Sequence, residues 1–235
     1  MQNSTDITYT RRAGINAAAA LLICGTAAGP LFVAIVCIQA FSHAGFDITR
    51  HPPSLLSLGS LGWLQILNFV AAGLLFIGGA VGMRRASATK WSSVLIGAFG
   101  VSMIIGGLFP VDGGLGFPAG APVGRPSTMS WHAMVHLAAL ATGFASLAAS
   151  CVVFARHDWA AGRRRWSTYS AAVGVLAATC FVAVNTGLTN GNLLPLWLAL
   201  VVGWTWASVM PARLVRLAWH GSERNYVFSD VPRQH

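Results

Sequence analysis

Six stretches of this chain, residues 17–40, 60–83, 91–109, 130–155, 167–187 and 193–212, are each long and apolar enough to cross a hydrocarbon core of about 30 Å as a helix. Between and beyond them there is too little chain left for a soluble domain. Only 9% of the residues are charged, where a soluble domain carries about a quarter. The reading is an all-α membrane protein: a polar N-terminus over residues 1–16, a six-transmembrane-helix bundle over 17–212, and a basic amphipathic tail over 213–235.

The net charge of +9 invites the thought of nucleic acid, and the positions of the basic residues answer it. Arg11 and Arg12 precede the first span, Arg84, Arg85 and Lys90 join the second to the third, and Arg156 and Arg163 to Arg165 join the fourth to the fifth. Arg213, Arg216, Arg224 and Arg233 follow the sixth, so that six crossings leave only Arg50 and Arg125 on the opposite side. The positive-inside rule then places both termini in the cytoplasm of a bacterium whose plasma membrane holds the protein. Basicity reports topology, with membrane lipid and not nucleic acid as the partner. The apolar run from Ala17 to Phe41 is too long for a signal-peptide core and reads as a retained first helix. Cys24, Cys37, Cys151 and Cys180 fall inside spans without metal-type spacing, as small buried hydrophobes do.

Polar side chains are one-sided. Gln39, His43, Asp47, His51, Gln65, Asn68, Asp112, His132, His136 and Asn185 all fall in the outer half of the expected bundle. Burying such groups in lipid is costly, so they are expected to pair or to share a water-accessible pocket opening outward. Between Asp112 and Pro126 the glycines and prolines predict a compact loop packed over the mouth of the bundle as a lid. His132 and His136, four residues apart on one helix face, can hold a single metal ion, and Asp112 with His51 or His43 would complete a ligand set, with zinc the candidate metal. In that reading Asp112 is ligand or general base, and Gln65, Asn68, His43 and Asn185 line the pocket. The alternative is a hydrogen-bonded histidine pair with Asp112 bracing the loop. WHAMVH lacks the glutamate of the metalloprotease helix, and no phosphate-binding loop or nucleophile elbow is present.

Taken together, HPPSLLSLGSLGWLQILNF, the following MRR, FPVDGGLGFPAGAP and WHAMVH resemble the bacterial six-helix membrane family catalogued as domain of unknown function number 998. The resemblance implies a six-helix membrane fold over most of the chain and assigns no activity. At the level of chemistry there is a partial similarity to the seven-helix alkaline ceramidase and adiponectin-receptor hydrolases, whose zinc is held by histidines and aspartate. This chain departs from them in having six spans and no HxxxH in its last helix. Three functions follow as expectations: a metal-assisted enzyme acting on an amphiphile, a binding, sensing or transport component, or a structural subunit that meets a partner or a second copy through Gly78 and Gly82.

Overall fold

The computed structural model describes residues 4–86, 89–124 and 126–229, with side chains described within 16–217. Its helices are α1 (Ser4–Ser42), α2 (Gly62–Arg85), α3 (Lys90–Leu108), α4 (Trp131–Ala160), α5 (Arg164–Asn185) and α6 (Leu194–Ser229), with one 3₁₀ turn at Pro53–Ser57. All six are long and apolar enough to span a membrane, as expected. The 3₁₀ turn starts where Pro52 and Pro53 forbid an earlier helix, and Thr89 and Ser130 cap α3 and α4 by accepting the backbone N–H of Ser92 and Ala133. At Pro211 α6 continues without a break, so the basic tail begins as an extension of the last span, and Leu214 and Val215 pack against the core. Residues 230–235 lie outside the described residues.

Each helix packs on the next, and α6 returns to α1, so the bundle is a closed ring. An even number of passes brings both termini to one end, the terminal face; the other end is the loop face. The lumen is filled by an aromatic plug. Trp204 of α6 stacks on Phe32 of α1 at 5.6 Å and meets Phe99 of α3 at 4.8 Å and Phe144 of α4 at 5.7 Å, while Phe69 and Phe76 of α2 extend the cluster through Phe32 and Phe99. Such pairs contribute about 0.5–1.5 kcal/mol each beyond their buried area. The lumen is therefore core and not a channel.

The Gly78 and Gly82 face expected to meet a partner meets α1. A Cβ on Gly82 would lie 2.7 Å from the backbone of Leu22, and Gly25 and Gly79 approach so closely that a Cβ on either falls within 2.8 Å of the other's Cα. Small residues are spent on closing the chain on itself.

The seam between α1 and α6 has a second device. Pro30 lies within α1, and one residue before it the Ser208 hydroxyl of α6 accepts the Gly29 N–H at 2.8 Å and donates to the Gly25 carbonyl at 3.1 Å. A side chain of another helix thus bonds both the N–H and the carbonyl that face each other across one turn of α1. Ser208→Ala removes both of these buried bonds and is expected to cost about 1–3 kcal/mol, read as a lowered unfolding midpoint in lipid–detergent bicelles. An unchanged midpoint would show that α1 closes its own hydrogen bond there.

At the terminal face Asp158, at the end of α4, is 1% exposed and accepts from Arg163 at 2.6 Å and from both terminal nitrogens of Arg213 at 2.7 and 2.9 Å. Arg213 also lies over Trp166, and Arg164 over the exposed Trp159. Trp63, Trp91 and Trp131 are exposed near helix ends, as interfacial anchors are. The side chain of Trp219 lies outside the described residues.

Candidate functional site

The loop joining α3 to α4 is folded upon itself before it touches anything else. Gly114 and Phe117 exchange backbone hydrogen bonds of 3.1 and 3.0 Å, and Leu115 and Gly116 donate to Gly124 and Pro122. Leu115 and Gly116 both take left-handed backbone, at φ 61° and 84°. Glycine does so without strain; Leu115 does not, and it is held there at both ends, its N–H on Gly124 and its carbonyl on the His51 ring.

Phe117 is the peg that seats this lid. It is 1% exposed and sits among His43 at 4.9 Å, Phe46 at 5.2 Å and His51 at 5.5 Å, all from the loop after α1. His51 accepts the Asp47 N–H on Nδ1 at 2.9 Å and donates from Nε2 to Leu115 at 3.0 Å, while its carbonyl accepts the Trp197 indole N–H at 3.1 Å. Both ring nitrogens are engaged, so the expected ligand His51 is a rivet joining the first loop, the lid and α6.

Beneath the lid is a cavity of about 480 Å³. Pro52, Ser54 and Leu55 come from the 3₁₀ turn and its approach, Val111, Asp112, Gly114 and Leu115 from the lid, Leu137 and Leu140 from α4, Val184 and Asn185 from α5, and Leu193 and Leu196 from the start of α6. Pro126, Ser127 and Met129 complete it. Exposed Ser127, Met129, Leu137 and Asn185 mark its mouth, beside the start of α4 and the end of α5. Leu137 is six residues into α4, or about 9 Å along its axis, so the lining extends from the loop down the flank of the bundle.

Two of the expected residues meet here. Asp112 Oδ2 accepts the Ser130 N–H at 2.7 Å, at the start of α4. Bonds from the Ser130 hydroxyl and N–H, with a smaller pull from His132, hold the Asp112 carboxyl below its ordinary range. Asn185, across the mouth, donates to Phe181 at 2.8 Å. His43, half-buried, packs beside Phe117 above the cavity and does not line it.

The remaining expected residues go elsewhere. Gln65 accepts from Gln39 at 2.8 Å and from Asn68 at 3.2 Å, and Asn68 also donates to Phe32, which makes a buried polar tie between α1 and α2 in place of a pocket wall. His136 is 1% exposed, with Nδ1 donating to Gly106 at 2.8 Å and Phe109 at 3.0 Å. Those carbonyls belong to the unpaired end of α3, so His136 caps that helix. His132, one turn nearer the loop face, is exposed and stacked on Trp131 at 3.8 Å. The metal site expected of His132, His136, His51 and Asp112 is therefore not assembled, and among the described residues no three His, Cys, Asp or Glu side chains converge as metal ligands. Spacing put the two histidines on one face, but the packing of α3 against the inner turn engages only the deeper one.

The walls of the cavity, Leu55, Leu137, Leu140, Leu193 and Leu196, escaped sequence reasoning, because an apolar residue facing a void and one facing a neighbour share the same pattern. Ser54 and Ser127 add hydroxyls to the lining, and the prolines beside them, at 52 and 53 and at 126, signalled that something other than helix lay there.

Residues 26–213 match the family model described as "Protein of unknown function (DUF998)", and the chain belongs to that family. No curated protein and no solved structure matches it.

Proposed function

We propose that this member of the family binds a single-chain amphiphile under its lid, with the loop face outward and the termini in the cytoplasm of a bacterial cell, as the one-sided distribution of arginine supports. The observation that carries the reading is the cavity itself. Its volume of about 480 Å³ lies within the about 300–1,000 Å³ of small-molecule sites, its walls are aliphatic, and one carboxylate stands at its rim. The aliphatic walls suit a hydrocarbon chain entering from the outer leaflet beside the start of α4 and the end of α5. Asp112 suits an ammonium or hydroxyl headgroup, because ionised Asp112 is an acceptor and carries negative charge.

The test uses the full chain in lipid nanodiscs with dodecylamine, dodecanol and dodecyl sulfate as probes. The amine is expected to bind the wild type about tenfold more tightly than the alcohol, with the sulfate weakest. Asp112→Asn is expected to remove the preference for the amine while leaving the alcohol unchanged, and Leu140→Trp, which fills the cavity, to weaken all three. The pH dependence has a definite sign. Because the carboxyl is held below its ordinary value of about 4, the amine preference persists from pH 8 through pH 5 and fades only as the pH falls below that value. Equal binding of amine and alcohol by the wild type would overturn the headgroup assignment, and indifference to Leu140→Trp the cavity assignment.

A further inference from the structure

We infer that the end of α4 and the start of α5 form a binding site for an anionic phospholipid of the leaflet at the terminal face, its phosphate held by Arg156 and by Arg164 stacked on Trp159.

The exposed face of α4 runs through Ala145, Ala149, Val152, Arg156 and Trp159, at helical steps of three and four residues. Along it the surface turns from aliphatic to cationic to aromatic. Arg156 stands about 6 Å beyond Val152, and Trp159 about 4.5 Å further, at a rise of about 1.5 Å per residue. Val152 and Trp159 are both more than half exposed, so no other described element covers this flank. An aliphatic run followed by an exposed indole marks the depth at which hydrocarbon gives way to headgroups.

The start of α5 adds a second cation there. The Arg164 guanidinium carbon lies 3.4 Å over the Trp159 ring, the separation of two flat groups in contact, so its in-plane N–H donors point past the ring. The indole fixes that fork while leaving its charge in place, whereas a carboxylate would cancel it. Asp158 is the only acid between residues 150 and 170, and its oxygens are taken by Arg163 and Arg213. Among the described residues no carboxylate pairs with Arg156, Arg164 or Arg165. Arg156, three residues before Trp159 on one helix face, borders the same ring that carries Arg164. The uncompensated charge is complementary to a phosphodiester without an ammonium of its own, whose paired oxygens suit the guanidinium fork. The aliphatic run from Ala145 to Val152 is where the acyl chain of such a lipid lies. The site is at the opposite end of the bundle from the lidded cavity and does not rest on it.

The test is native mass spectrometry of the full chain in detergent, titrated with phosphatidylglycerol or phosphatidylcholine of the same acyl chains. One phosphatidylglycerol is expected to bind about tenfold more tightly than one phosphatidylcholine, and Arg156→Ala and Arg164→Ala each to weaken it about fivefold, the effect of one basic residue at an anionic headgroup. Arg164→Lys keeps the charge, loses the planar stack, and is expected to lose most of the same preference. Arg85→Ala removes an exposed arginine from the same face, at the end of α2, and is expected to leave the preference unchanged. Equal loss in Arg85→Ala and Arg164→Ala would overturn the site, since the preference would then belong to the charge of the whole face. Equal affinity for the two lipids, or an Arg164→Lys variant that binds like the wild type, would overturn it as well. Displacement of the bound lipid by inorganic phosphate at millimolar concentration would overturn the lipid as its occupant.

Discussion

Asp158→Ala is expected to lower the unfolding free energy by about 3–5 kcal/mol, the cost of breaking a buried ion pair and leaving its partner charge uncompensated. The carboxylate is 1% exposed, and the guanidinium that grips it with two nitrogens belongs to Arg213, whose side chain is only 13% exposed. The third bond comes from Arg163, 42% exposed, where solvent screens the charge. The two arginines should therefore differ. Arg163→Ala is expected to cost about 0–1 kcal/mol, the range of exposed pairs, and Arg213→Ala several times more. An aspartate at the C-terminal end of α4 also opposes the helix dipole, so the arginines offset an unfavourable placement in addition to fixing α6 against the turn between α4 and α5. The measurement is denaturant-induced unfolding in bicelles, followed by tryptophan fluorescence. Asp158→Ala no costlier than Arg163→Ala would mean the clasp is solvated and the terminal face open.

That clasp marks the limit of what the sequence discloses. The arginines of the terminal face read correctly as a charge bias, because the bias depends only on which loop each residue occupies. Arg213 meets Asp158 across 55 residues, and no local pattern announces such a pair. The six helices were legible for the opposite reason: in a bilayer each span must satisfy its own backbone, so length and hydropathy suffice. The candidate site was legible in part. Asp112 and Asn185 could be assigned to one end of the bundle, and they meet at one cavity. The histidines share that end, yet His51 rivets the lid, His136 caps α3 and His132 turns outward, because depth along a helix does not say which neighbour a face will meet.

Gly29→Leu is expected to abolish recovery of the folded protein. A Cβ at Gly29 would lie 2.3 Å from the Trp204 carbonyl and 2.6 Å from the Ser208 hydroxyl, and the former is backbone, which cannot swing aside. Even Gly29→Ala is expected to cost about 1–3 kcal/mol or more, as overpacking does. Spacing drew attention instead to Gly78, where the nearest atom to a new Cβ is that of Cys24 at an ordinary 3.6 Å. Gly78→Ala should stay within about 0.5 kcal/mol of wild type. The contrast follows from topology. The seam between α1 and α6 joins the first helix to the last, and no short loop holds it closed, so side-chain volume and the Ser208 bridge must do so. Opening it also pulls Trp204 away from Phe32 and with it the centre of the plug. Size-exclusion profiles and melting curves of Gly29→Ala, Gly29→Leu and Gly78→Ala, prepared alike, settle the matter. A well-folded Gly29→Leu would mean that α1 and α6 do not close the ring, whereas a graded loss at Gly29 beside a neutral Gly78 assigns the tight seam to the pair of helices farthest apart in the chain.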